Sequence, residues 1–114
     1  MSTTVASPAP PRSPNHSVTT AQLSSGGRST AVAAGGQAVF LASGMPSVAS
    51  DRTYQLWVMS PGSTRSAGLL GHGSSAQVLV QRVQPGDKLA VTVEPSGGSP
   101  QPTTAPLVTL PVGS

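Results

Sequence analysis

Glycine and proline punctuate this chain so often that few stretches are left long enough for a helix, and this limits the fold more than any other feature. Thirteen Gly and twelve Pro are spread through 114 residues. Proline lacks an amide proton and glycine costs conformational entropy, so both interrupt helices and mark turns. The segments between them are short and aliphatic. Short strands joined by tight turns satisfy both facts.

Ser17–Leu23 is rich in Thr and Val and ends at Gly26-Gly27. Arg28–Ala33 follows and stops at Gly35-Gly36, and Gln37–Ala42 carries Val39, Phe40 and Leu41 before Gly44 and Pro46. Thr53–Met59 is the clearest strand. Its alternation puts Tyr54, Leu56 and Val58 on one face and Gln55, Trp57 and Met59 on the other. Pro61-Gly62 forms a turn, because proline presets the first turn angle and glycine tolerates positive φ. Arg65–Leu70 then returns as a hairpin partner. Ala76–Val83 is a further aliphatic run, and Pro85-Gly86 turns again. In Asp87–Glu94, Leu89, Val91 and Val93 oppose Lys88, Thr92 and Glu94. Pro95 to Pro102 reads as a loop, and Ala105–Pro111 as an edge strand that tolerates its prolines. The expected fold is all-β, an antiparallel two-sheet sandwich of seven or eight short strands. Residues 17–114 form this single domain. Residues 1–16, with four prolines between Ser7 and Pro14, form a linker that favours extended polyproline II.

Composition narrows the function. Charged residues make up 8% of the chain, and the net charge of +3 reflects a shortage of acids. Asp51, Asp87 and Glu94 face Arg12, Arg28, Arg52, Arg65, Arg82 and Lys88, which are scattered singly. Phosphate binding needs several cations on one surface, and base stacking needs more aromatics than Phe40, Tyr54 and Trp57. Nucleic acid is therefore not an expected partner. The absence of cysteine removes disulfides, thiolate metal sites and thiol catalysis. No apolar run reaches the ~18 residues of a membrane span, and the first residues lack the pattern of a signal peptide. This fits either a cytoplasmic protein or a piece of a longer one, with Met1 then serving as an expression start.

Reactive constellations are also missing. A serine hydrolase needs a positioned histidine, and only His16 and His72 exist. His16 borders the proline linker. His72 lies in Gly71-His72-Gly73-Ser74-Ser75, which lacks the strand–elbow–helix signature that would make Ser74 or Ser75 a nucleophile. Asp51 and Asp87 sit beside turns, where Asp commonly bonds local backbone. Gly71-x-Gly73 does not complete a dinucleotide fingerprint. Asn15-His16-Ser17 matches a glycosylation sequon, a pattern of low specificity. No enzymatic activity, catalytic residue, cofactor, metal or small-molecule substrate is expected.

Three stretches carry a resemblance. They are Thr53-Tyr54-Gln55-Leu56-Trp57-Val58-Met59, Arg65-Ser66-Ala67-Gly68, and the segment from Leu89 through Val93-Glu94-Pro95-Ser96-Gly97-Gly98-Ser99-Pro100-Gln101-Pro102 to Thr103. In this order the chain resembles the C-terminal domain of anti-sigma-K factors over Gln22 to Val112. The resemblance implies a longer parent with a cytoplasmic part that holds an extracytoplasmic-function sigma factor, one membrane helix, and this outer domain. It further implies a site-1-type protease acting near the stalk, an extracytoplasmic location, and a sigma factor held only through the part absent here.

Four residues are singled out as structural or partner contacts: Trp57, Arg65, Glu94 and Gln101. Trp57 is expected to anchor the core by its size. Arg65 begins one strand and Glu94 ends another, so a structural salt bridge across the rim is expected rather than a ligand clamp. Gln101 lies in the Gly97–Pro102 loop, which reads equally as a partner surface or as a shaped crossover. The competing function is an extracellular binding or adhesion module, which an exposed Trp57 beside Tyr54 would favour.

Overall fold

The computed structural model describes residues 16–71 and 73–112, so the linker prolines and His72 lie outside the described residues. Eight strands follow in order: β1 His16–Gln22, β2 Arg28–Ala34, β3 Gln37–Ser43, β4 Arg52–Ser60, β5 Ser63–Gly71, β6 Ala76–Gln81, β7 Lys88–Pro95 and β8 Val108–Pro111. They form two four-stranded sheets, in the orders β1-β2-β3-β6 and β5-β4-β7-β8. Every pairing is antiparallel. The expected all-β sandwich is therefore what the chain adopts. Among the described residues there is no helix long and apolar enough to cross a membrane.

Local sequence accounts for the hairpins. Gly35-Gly36 joins β2 to β3 with both residues at positive φ, 60° and 81°, the two-residue turn whose twist matches that of the strands. Pro61-Gly62 closes β4 onto β5 with Ser60 opposite Ser63. Three connections change sheets, β3 to β4, β5 to β6 and β6 to β7. The β5 register shifts between Tyr54 and Gln55 and again between Leu56 and Trp57 of β4. Such bulges twist an edge strand and make it a poorer template.

The interior is filled unequally by the two sheets. The first sheet contributes mainly small residues, Ala31, Ala33, Ala38 and Ala42, around one large ring, Phe40. The second contributes Tyr54, Leu56, Val58, Leu89, Val91 and Leu110. Small side chains facing large ones keep two sheets at close packing distance without voids. Each fully buried large side chain contributes ~2 kcal/mol by area. Strand β2 shows simple alternation, buried toward the core and more open outside. Strands β4 and β7 do not, because they are buried on both faces almost throughout.

That double burial corrects one expectation. The interior position on β4 falls to Tyr54, which shares its face with Leu56 and Val58 and joins the core cluster. Trp57 is fully buried as well, but on the opposite face of the sheet and outside that cluster. Strand parity decides this, and size does not override it.

Candidate functional site

The outer face of the β5-β4-β7-β8 sheet is roofed by residues 96–107, the connection from β7 to β8. Backbone bonds pin it along its length. Ser96 N–H donates to Asp51 O (2.8 Å), Gly98 N–H to Pro95 O (2.9 Å), and Leu107 N–H to Val91 O (2.8 Å). At Gly98 the chain comes so near the sheet that a Cβ would lie 2.8 Å from Leu69 Cδ2 and 3.3 Å from Gln55 Oε1, at a φ of +85°. Only glycine fits such an approach without displacement.

Glu94 is the centre of the roof. It lies one residue before the end of β7, on the outward face, and is wholly buried. Its carboxylate accepts from Thr92 Oγ1 (2.6 Å), Ser99 Oγ (2.9 Å), Thr103 N–H (3.0 Å) and Thr103 Oγ1. Burial alone would push the Glu94 carboxyl up. The donors from Thr103, Thr92 and Ser99 outweigh it and hold the group below its ordinary range. No cation takes part among the described residues. Charge-assisted bonds to an ionised acceptor are the stronger kind, so the carboxylate ties the middle of the loop and its far limb to the sheet.

Two further links extend the network. Thr92 Oγ1, which donates to Glu94, accepts from Trp57 Nε1 (2.8 Å). The sequence indole to hydroxyl to carboxylate is directional, and each bond polarises the next. Trp57 fits because Ala90, opposite it on β7, is small. Gln55 pairs with the loop as if it were backbone: its Oε1 accepts Ser99 N–H (3.0 Å) and its Nε2 donates to Ser99 O (3.1 Å). The same Nε2 donates to Ser66 Oγ on β5 (2.9 Å). Gln101 Nε2 reaches Thr64 O (3.2 Å), and Thr104 Oγ1 reaches Val93 O (2.9 Å).

Of the four singled-out residues, Trp57, Glu94 and Gln101 therefore belong to one assembly. Arg65 does not, and the expected Arg65–Glu94 salt bridge does not form. Arg65 Nη2 instead donates to Gln81 O (2.7 Å) and Arg82 O (2.8 Å), clipping β5 to the end of β6. Glu94 is saturated by hydroxyl and amide donors, so it has no vacancy for a guanidinium. Thr92, Ser99, Thr103 and Gln55 were not anticipated. Thr92 and Glu94 two residues apart on one strand face were the available signal.

Two further ionisable groups, Asp87 and Tyr54, have structural partners. Asp87 Oδ2 accepts Gln84 N–H (3.0 Å) within the 82–87 turn, as its position beside that turn suggests. Tyr54 donates its phenol to Pro46 O, and burial pushes its pKa up, which keeps the phenol neutral as a donor. Among the described residues no group of three or more His, Cys, Asp or Glu can hold a metal ion. Tyr54 and Trp57 are buried on opposite faces and form no exposed aromatic platform. Chemically, the arrangement around Glu94 is a latch: its acceptors are filled by donors that hold the chain in place.

The family model described as anti-sigma-K factor rskA, C-terminal, matches residues 2–107. A Streptomyces griseus protein described as an uncharacterized protein in the phr 5' region is 38% identical over 101 residues, covering 85% of this chain and 42% of that protein. The chain thus spans less than half the length of that relative. No solved structure matches it. On the strength of the family match across nearly its whole length, the chain belongs to the family of C-terminal domains of the anti-sigma-K factor rskA.

Proposed function

We propose that this chain is the extracytoplasmic regulatory domain of a membrane-anchored anti-sigma factor, acting without catalysis. In this reading the parent holds its sigma factor through a cytoplasmic part, and a site-1-type protease cuts near the stalk. The domain controls that cut by being folded. The supporting observation is the family membership together with a sandwich whose buried polar side chains are all spent on holding the fold. A protease needs an extended, unpaired backbone segment, and strands paired on both sides do not supply one. A proline-rich stretch such as Ser7–Pro14 has no such pairing pattern in its sequence. A signal that loosens the sandwich, or a partner that binds it, would change access to the stalk.

Limited proteolysis of the whole chain tests the reading. The expected first cuts fall within residues 1–16 and leave a resistant core that runs to the end of β8. First cuts inside Thr53–Glu94 with the stalk intact would defeat it.

A further inference from the structure

We infer that the open edge of β6, where it faces β5, binds an extended acidic peptide segment as an added strand. The two sheets come together at this side of the sandwich without pairing, because β6 is bonded to β3 alone and β5 to β4 alone. Among the described residues, the hydrogen bonds that join β5 to the end of β6 are those of the Arg65 clip to the carbonyls of Gln81 and Arg82. Around the clip the seam forms an open groove bordered by Arg65, Ser66, Leu79, Gln81 and Arg82.

The orientation of the β6 backbone follows from that clip. Gln81 O points to the open side, since Arg65 reaches it from β5. Backbone groups alternate along a strand, so Leu79 and Gln77 turn their N–H and C=O to the same side, while Val78 and Val80 face β3. The burial pattern has the same parity, with Gln77, Leu79 and Gln81 exposed and Val80 buried. Leu79 is 55% exposed and supplies an apolar contact beside the unpaired groups. Main-chain bonds to such an edge supply affinity, and the flanking side chains supply selectivity.

Charge selects the partner. No carboxylate borders the groove. Two of the chain's three acids are buried, Glu94 under the roof and Asp87 within the 82–87 turn. Arg65 spends only Nη2 on the clip, leaving Nε and Nη1 without a partner among the described residues. Arg82 is exposed at the end of the same edge. An acidic strand would meet two guanidinium groups that nothing in the groove neutralises. A second copy of this edge would bring no carboxylate to meet them.

The test is an amide-shift titration of the full chain with a blocked six-residue peptide alternating valine and glutamate, set against the same peptide with glutamine. The glutamate peptide should shift the amides of Gln77, Leu79, Gln81 and Arg65 and bind ~10-fold more tightly than the glutamine peptide. Leu79→Pro removes an edge donor without removing a bond to β3, and it should abolish binding. Arg82→Asn keeps a residue that tolerates the observed φ of 60° and should weaken binding about fivefold, which decides the charge requirement whether or not the proline variant folds. Equal affinity for both peptides, shifts centred elsewhere, or full binding by Arg82→Asn would overturn the proposal. So would concentration-dependent shifts on this edge without peptide, which would name a second copy as the occupant.

Discussion

Glu94 shows how a single carboxylate can order a long loop without a counter-ion. Replacing it with glutamine keeps the shape but turns one acceptor into a donor that faces Thr103 and Ser99. Leaving buried donors unsatisfied costs about 1–3 kcal/mol. Glu94→Gln is therefore expected to lose about 2–3 kcal/mol in urea unfolding, whereas Thr103→Val, which keeps the backbone N–H bond, should lose about 1 kcal/mol. The pH dependence has a definite sign. The folded carboxyl lies below its unfolded value, so its contribution is present above the ordinary carboxylate pKa and is lost as pH falls through the lower folded value. Unfolding of the parent chain should weaken across that acidic window, and Glu94→Gln should show a flatter profile there.

At the scale of elements, the 96–107 roof is what makes β4 and β7 two-faced. A central strand needs cover on both sides if its outward residues are to be buried, and here a loop provides what a third layer would provide elsewhere. The closest approach is at Gly98, so the roof is most sensitive to a side chain there. Gly98→Ala meets Leu69 Cδ2 at 2.8 Å and a φ of +85°, and about 1–2 kcal/mol of lost stability is expected from strain at such a position. Thermal denaturation followed by circular dichroism would measure it. The bulged β5 and the edge strand β6 meet without pairing along one side of the sandwich, where Arg65 links β5 to the end of β6.

For the whole molecule, the two buried aromatic side chains of β4 report on different layers. Trp57 lies beneath the roof and Tyr54 inside the sandwich. A domain of this size unfolds as one cooperative unit when its layers share strands, and β4 and β7 serve both layers here. Tryptophan emission and far-ultraviolet circular dichroism should therefore give the same denaturation midpoint. In Glu94→Gln the latch is cut while the core is kept, so Trp57 emission should shift at lower denaturant than the loss of strand signal. The same relation bears on the regulatory reading, since loosening of the roof would be the mildest change that exposes buried backbone.

Alternation and turn chemistry in the sequence alone determined the short strands, their antiparallel hairpins and which residues of β4 share a face, but not which face is interior, since size pointed to Trp57 and the fold put Tyr54 there. These rest on interactions between residues close along the chain, so a local pattern suffices to encode them. The stretch from Val93 to Thr103 was also recognisable as unusual before its role was visible. The partner of each long polar side chain was decided only by the tertiary structure. Glu94 and Arg65 carry opposite charges near strand ends, which suggested a pair, but the folded chain brings hydroxyls and a backbone amide from nine residues downstream to Glu94 and two carbonyls to Arg65. Trp57 was legible as buried but not as roofed, because strand parity names a face and not what covers it. Non-local hydrogen bonding depends on where a loop of twelve residues returns, and nothing in a period of two specifies that path.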